Sequence, residues 1–421
     1  MTTAAVQRGM VPSREPARRP FAPWPYFEED EIEAAAAVLR SGKVNYWSGQ
    51  EGRLFETEFA RSVGTKYAVC VANGTVALEL ALQALGIGRG DEVITTSRTF
   101  IASASCIVMR GARPVCVDVD PDSQNLTAES IRRAITPRTK AIIAVHLAGW
   151  PCDMDEILHL AGEYGLRVIE DCAQAQGAIY NGRPVGSLGD VAAFSFCQDK
   201  IMTTAGEGGM LTTNDPGVWE RAWSFKDHGK SYDAVYRRDR GEGYRWLHES
   251  FGTNWRMTEL QAALGRVALT KVPRWVESRR RHANTLTQAL SGLPGVRIPT
   301  PPGGIVHAYY KYYAFLRPEM LRKGWDRDAI LAAIKAEGVP CFAGSCSEIY
   351  LEKAFGARRR RRFPVARSLG ETSLMFLTHP TLADEDITFT CRTIESVIAR
   401  AVRCNTHSAS GGYPVPATKC R

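Results

Sequence analysis

Polar residues that fall directly after apolar runs give this chain a set of groups able to do carbonyl chemistry. Lys200 closes the stretch AAFSFCQDK, an apolar strand that breaks into the Gly-rich loop TTAGEGG before a second strand, MLTT. A lysine on such an edge beneath apolar residues loses hydration, and desolvation disfavours its charged form. A neutral amine is a nucleophile suited to carbonyls and to pyridoxal phosphate (PLP). Asp171 ends the run LRVIED. A carboxylate beside a pyridine nitrogen keeps that nitrogen protonated, so the ring can accept electrons; alone, the same residue is also an ordinary cap for the following helix. Gln174, one helical turn on, is spaced to hydrogen-bond a phenolic ring oxygen.

Phosphate chemistry has its own candidates. Asn73-Gly74-Thr75 opens a helix straight after the run YAVCVA. Free amides at a helix start, with the helix dipole, bind a phosphate dianion, although Asn before a helix is also plain N-capping. Ser195 lies at the end of the strand that leads to Lys200, and Phe100, in TSRTFIAS, could stack on a ring or pack in the core. Asn254, in GTNWRMTELQAALG, could bind phosphate or begin a helix, and Arg256 could pair with an acid or reach an anionic substrate.

The elements that must position these groups are legible as alternation. Between about residues 67 and 213, seven short apolar runs (YAVCVA, DEVITTS, PVCVDVD, KAIIAVHL, LRVIED, VAAFSF, GGMLTT) are separated by helix-length amphipathic segments such as MDEILHLAGEYG. Strands alternating with helices predict an α/β domain with a mainly parallel sheet covered on both faces. Such sheets place ligands at the carboxyl ends of their strands. The Asn73, Asp171 and Ser195/Lys200 strand ends would then meet in one crevice. The segment from Trp255 to Leu290 predicts one or two long helices, followed by a smaller α/β domain. The expected organisation is a flexible N-terminal segment over 1–25, a large domain over 26–285, a small domain over 286–403 and a flexible tail over 404–421.

The formal net charge of +8 on 421 residues is concentrated. Four arginines against Glu15 in the first twenty residues, and the run Arg358 to Arg362, account for the whole excess. A nucleic-acid-binding face would spread basic residues over a folded surface with aromatics between them, so no nucleic-acid partner is expected. The 11 cysteines include no CxxC pair. Several sit in apolar runs where a thiol packs as a small hydrophobe, so no metal clip is expected and a reducing, cytoplasmic setting is. No apolar run is long enough to span a bilayer, and no secretory signal is visible.

Taken in order, the segments YAVCVANGTVALELALQALGIGRGDEVITTS, FIASASCIVMRGARPVCVDVDPDSQNL, VIEDCAQAQGAIYNGRPVGSLGDVAAFSF, IMTTAGEGGML and GTNWRMTELQAALGR, with the later FPVARSLGETSLMFLTHPTL, resemble the DegT/DnrJ/EryC1/StrS sugar aminotransferases, a branch of the fold-type I PLP-dependent enzymes. The resemblance spans roughly residues 25–400. It implies a large domain with a mainly parallel seven-stranded sheet and a smaller C-terminal α/β domain. It also implies Lys200 as the lysine that carries PLP and shuttles the proton, with Asp171 as the ring-nitrogen partner and Gln174 on the ring oxygen. Gly74, Thr75 and Ser195 would bind the phosphate, Phe100 would stack on the ring, and Asn254 would reach the phosphate of a second subunit in a homodimer.

The implied reaction is ping-pong transfer of an amino group from glutamate to a keto group of a nucleotide-linked deoxysugar. Keto-cyclitol amination, PLP-dependent sugar dehydration and a non-catalytic regulator are the alternatives; a retained lysine favours amination. Two departures line the expected pocket: Cys197-Gln198-Asp199 before the lysine, and Arg98 two positions before Phe100. For the substrate's anionic groups the candidates are Arg98, Arg245, Arg256, Lys226, Lys230 and the Arg358 to Arg362 run.

Overall fold

The computed structural model describes residues 20–238, 246–356 and 361–403. Its strands are β1 (Tyr67–Val71), β2 (Glu92–Thr96), β3 (Arg113–Val117), β4 (Thr139–Val145), β5 (Arg167–Asp171), β6 (Ile179–Tyr180), β7 (Arg183–Pro184), β8 (Val191–Ser195), β9 (Gly209–Thr213), β10 (Val296–Arg297), β11 (Ile305–Val306), β12 (Tyr312–Leu316), β13 (Cys341–Phe342) and β14 (Ser373–Phe376). Each of the seven apolar runs becomes one strand of a seven-stranded sheet in the order β1-β9-β8-β5-β4-β2-β3. The strands from β8 to β3 are parallel, while β9 runs antiparallel to both β8 and β1.

Side-chain alternation explains why these runs are continuously apolar. Along β4, Ile142 and Ala144 enter one core, and Ala141, Ile143 and Val145 enter the other. Successive residues of a strand point to opposite faces, so a sheet covered on both sides needs apolar residues at every position.

A second, antiparallel sheet, β10-β12-β14-β13, forms a separate core with the helices Arg327–Ala336 and Asp384–Ala401. A small ribbon, β11-β6-β7, completes the strands. The helix Glu259–Leu290, 32 residues long, connects the two main cores. It opens with a capping box, Thr258 accepting from the Gln261 amide and Gln261 Oε1 accepting from Thr258 N. Such reciprocal caps satisfy donors that a helix start leaves free. Ala262, Val272 and Trp275 pack in the large-sheet core, and Ala283, Leu286 and Leu290 pack in the small-sheet core. The division expected at 285/286 therefore falls inside one continuous helix.

Candidate active site

A cavity of about 790 Å³ opens where the carboxyl ends of β5 and β8 face the small sheet. Ten residues singled out from sequence line it: Asn73, Gly74, Thr75, Phe100, Asp171, Gln174, Ser195, Cys197, Asp199 and Lys200.

Lys200 sits in the turn after β8. Its amide donates to Cys197 O (3.1 Å), and its carbonyl accepts from Trp24 Nε1 (2.8 Å). The side chain is half-buried, and Nζ lies 5.0 Å from the Tyr310 ring centroid.

Asp171 ends β5 and is 5% exposed. Its Oδ2 accepts from Ser103 Oγ (2.8 Å) and its Oδ1 from the Ala173 amide (3.1 Å). Burial raises its carboxyl above the usual range; the Ser103 and Ala173 hydrogen bonds and the charge of Lys200 pull it down without cancelling that effect. A buried carboxylate in this state favours a cationic or hydrogen-bond-donating partner.

The helix Gly74–Ala84 starts on the cavity wall. Asn73, in extended conformation, caps it by accepting from the Val76 amide (3.0 Å), so the capping function is real. The amides of the first turn have no acceptor within the helix. Glycine is required at 74 because a Cβ there would stand 2.5 Å from Ser195 Cβ. That close approach brings the helix start and the Ser195 hydroxyl into one cup. Gln174 accepts from the Ala148 amide through Oε1 (2.9 Å), which leaves its N–H groups as donors. Phe100 stands at the rim, 67% exposed.

Several expected substrate contacts are elsewhere. Arg98 is fully buried: Nε donates to Gln124 Oε1 (2.8 Å), and the guanidinium lies 5.5 Å from the Tyr313 ring centroid, behind the cavity wall and not on it. Arg256 takes the alternative of pairing with an acid, donating to Asp227 Oδ1 at 2.7 Å. Lys230 joins the same carboxylate (3.1 Å), while Lys226 is buried with Nζ 3.5 Å from Glu56 Oε1 and 3.6 Å from the Tyr46 ring centroid. These cations serve a structural cluster that also includes Trp47, whose Nε1 donates to Asp227 Oδ2 (2.8 Å). Arg362 donates from Nε to Glu348 Oε1 at 3.0 Å. Arg245 and Arg358 to Arg360 lie outside the described residues. Asn254 is exposed, bridged to Asp227 and absent from the cavity wall of its own chain.

Sequence reasoning missed Ser103, Tyr310 and Lys311. Ser103 sits inconspicuously in ASASC but fixes Asp171. Lys311 interrupts the aromatic run AYYKYYAF, which was a signal. The described cysteines are free thiols. His146, Glu170 and Cys172 cluster closely enough to hold a metal, yet Glu170 already accepts from the amides of Gly186, Leu188 and Gly189, and His146 Nδ1 accepts from Cys152 N. Glu170 and His146 of this cluster are thus already engaged by the protein itself.

The chain belongs to the DegT/DnrJ/EryC1/StrS aminotransferase family, whose pattern matches residues 25–395. The solved aminotransferase from Psychrobacter cryohalolentis shares 55% identity, with a TM-score of 0.89 over 90% of this chain and 99% of that one. The UDP-N-acetyl-3-dehydro-alpha-D-glucosamine 3-aminotransferase of Acidithiobacillus ferrooxidans is 39% identical over 80% of this chain and 86% of its own. GDP-perosamine synthase of Escherichia coli O157:H7 is 35% identical over 83% and 91%. The protein is a PLP-dependent aminotransferase of fold type I. The residues present fit the cofactor: a buried carboxylate that favours a cationic partner, a helix start with Ser195 for the phosphate, and a lysine on the same cavity wall.

Proposed function

We propose that this enzyme transfers an amino group from glutamate to a keto group on a nucleotide-linked deoxysugar, in two half-reactions that share one site. The observation that carries this reading is the convergence of Lys200, Asp171 and the Gly74/Ser195 cup on a single cavity. The family membership and the nucleotide-sugar chemistry in the names of two relatives support it. When bound, PLP supplies an electron sink for the carbon whose proton is removed.

The chain's own residues do the rest. Lys200 moves the proton at the reacting carbon. Asp171, oriented by Ser103 and Ala173, holds the proton on the ring nitrogen. Gln174 donates to the ring oxygen, and the first turn of Gly74–Ala84 with Thr75 and Ser195 holds the phosphate. With Asp171 and Gln174 on the ring and the Gly74/Ser195 cup on the phosphate, these residues would hold the cofactor at both ends, an orientation effect. Phe100, on the cavity wall, would stack against the ring. Asn254, exposed and absent from its own cavity wall, suits a role in the site of a second copy, which makes the working unit a homodimer. Lysine at 200 favours nitrogen transfer over dehydration.

No described helix is long and apolar enough to cross a membrane. The test is incubation with glutamate and a panel of nucleotide keto-sugars, read by mass spectrometry. An aminated nucleotide sugar and 2-oxoglutarate are expected; no product from any member of the panel, with keto-cyclitols aminated instead, would contradict the substrate class.

A further inference from the structure

The cavity holds a second amine without a task. Lys311 lines it from the small-sheet side, directly before β12. The backbone there is pinned from two directions: the Tyr310 amide donates to Ala148 O (2.9 Å), and the buried Arg279 donates from Nη1 to Tyr310 O (3.2 Å). Lys311 Nζ lies 4.7 Å from the Tyr310 ring centroid, and Lys200 Nζ lies 5.0 Å from the same centroid. The two amines therefore share one aromatic platform. The acid facing that platform, Asp199, is engaged, because it accepts from the Tyr310 hydroxyl.

Two facts narrow what Lys311 does. Among the described residues, Lys200 and Lys311 are the only cations on the cavity wall, since Arg98, Arg256, Lys226 and Lys230 are placed elsewhere. The Lys311 amine has no hydrogen bond or ion pair among those residues; its contact is the Tyr310 ring. Burial lowers its pKa to about 8, with Asp199 opposing and Arg279 and Lys200 adding to the effect. A partly desolvated ammonium that forms no ion pair gains most from an incoming anion.

The position selects among anions. An amino donor carries a carboxylate on the very carbon that bears its amine, so that carboxylate arrives beside Lys200. The phosphates of a nucleotide-linked sugar are separated from its keto carbon by the sugar ring. We propose that Lys311 receives the carboxylate of the amino donor and so determines that the nitrogen source is an amino acid. The proposal rests on the aminotransferase reading above.

The test uses the PLP-loaded protein and two variants, Lys311→Gln and Lys311→Arg, with calorimetric titration of 2-oxoglutarate and, separately, of uridine diphosphate. The Gln variant should retain the cofactor absorbance and its borohydride-fixed attachment at Lys200. Its affinity for 2-oxoglutarate should fall about tenfold or more, the scale of one charge-assisted hydrogen bond, with uridine diphosphate binding unchanged. The Arg variant should recover most of the loss. Unchanged 2-oxoglutarate affinity in the Gln variant overturns the assignment, and so does a loss confined to uridine diphosphate. Failure of the underlying reading looks different: wild-type protein would then show no cofactor attachment at Lys200.

Discussion

Glu170 and Asp171 are chain neighbours on β5, both carboxylates and both buried, yet their environments differ in kind. Burial pushes the Glu170 carboxyl up, but the His146 hydrogen bond and the Gly186 and Gly189 amides outweigh it, and the net direction is down. Burial pushes Asp171 up too, and there one hydroxyl and one amide are too few to reverse it. Strand alternation sends the first side chain into a packed polar knot and the second into the cavity. The number of donors, rather than burial, separates a structural carboxylate from one that waits for a ligand.

The largest effect that sharpens this contrast is at the amine. Lys200→Ala should cut the transamination rate by about 10²–10⁴-fold, the range of a lost proton-transfer group, and remove cofactor attachment. Its cofactor-free melting temperature should barely move, because Lys200 is half-buried and outside the packed cores. A large fall in that melting temperature would show the residue to be structural.

The two carboxylates should respond oppositely. Glu170 has a depressed pKa in the fold, so its contribution is present above the unfolded value and lost as pH falls through the folded one. Glu170→Gln should therefore destabilise at pH 7 by about 2–4 kcal/mol, with the deficit shrinking in acid. Asp171 has a raised pKa, so its contribution is present below the unfolded value and lost as pH rises through the folded one. Cofactor-free Asp171→Asn should be more stable than cofactor-free wild type at pH 7, whereas the PLP-loaded variant should turn over far more slowly than PLP-loaded wild type. Thermal melts between pH 4 and pH 8 check both; equal shifts of one sign would break the comparison.

Gly74→Ala tests the cup. The added methyl meets Ser195 Cβ, so overpacking should cost about 1–3 kcal/mol and weaken PLP binding, measured by cofactor titration. The smallest effect belongs to Arg362→Ala. Its pair with Glu348 is partly exposed, so solvent screening should leave stability almost unchanged and the KM values not changed at all. A raised KM would return that arginine to the substrate path.

The sheet was legible because doubly covered strands must be apolar throughout, and the cavity was legible because the polar residues that interrupt those runs lie at the strand ends. Asp171 and Lys200 stood out for this reason. Ser103 did not, since a serine among alanines carries no pattern, and its role arises only when its helix meets β5. Arg98 misled: its place two residues before Phe100 suggested the pocket, but the side chain turns behind Tyr313. Lys311 was visible as a charge in an aromatic run, yet nothing local says which cavity a small-sheet strand will face. Those contacts belong to tertiary packing between the two sheets.

Two amines face one aromatic ring in this site, and the account assigns cofactor attachment to one of them. Borohydride reduction of the PLP-loaded protein, followed by peptide mapping, decides it. The pyridoxyl group should be found on the peptide containing Lys200 and nowhere else; recovery on Lys311, or on no lysine of the cavity, would contradict the account.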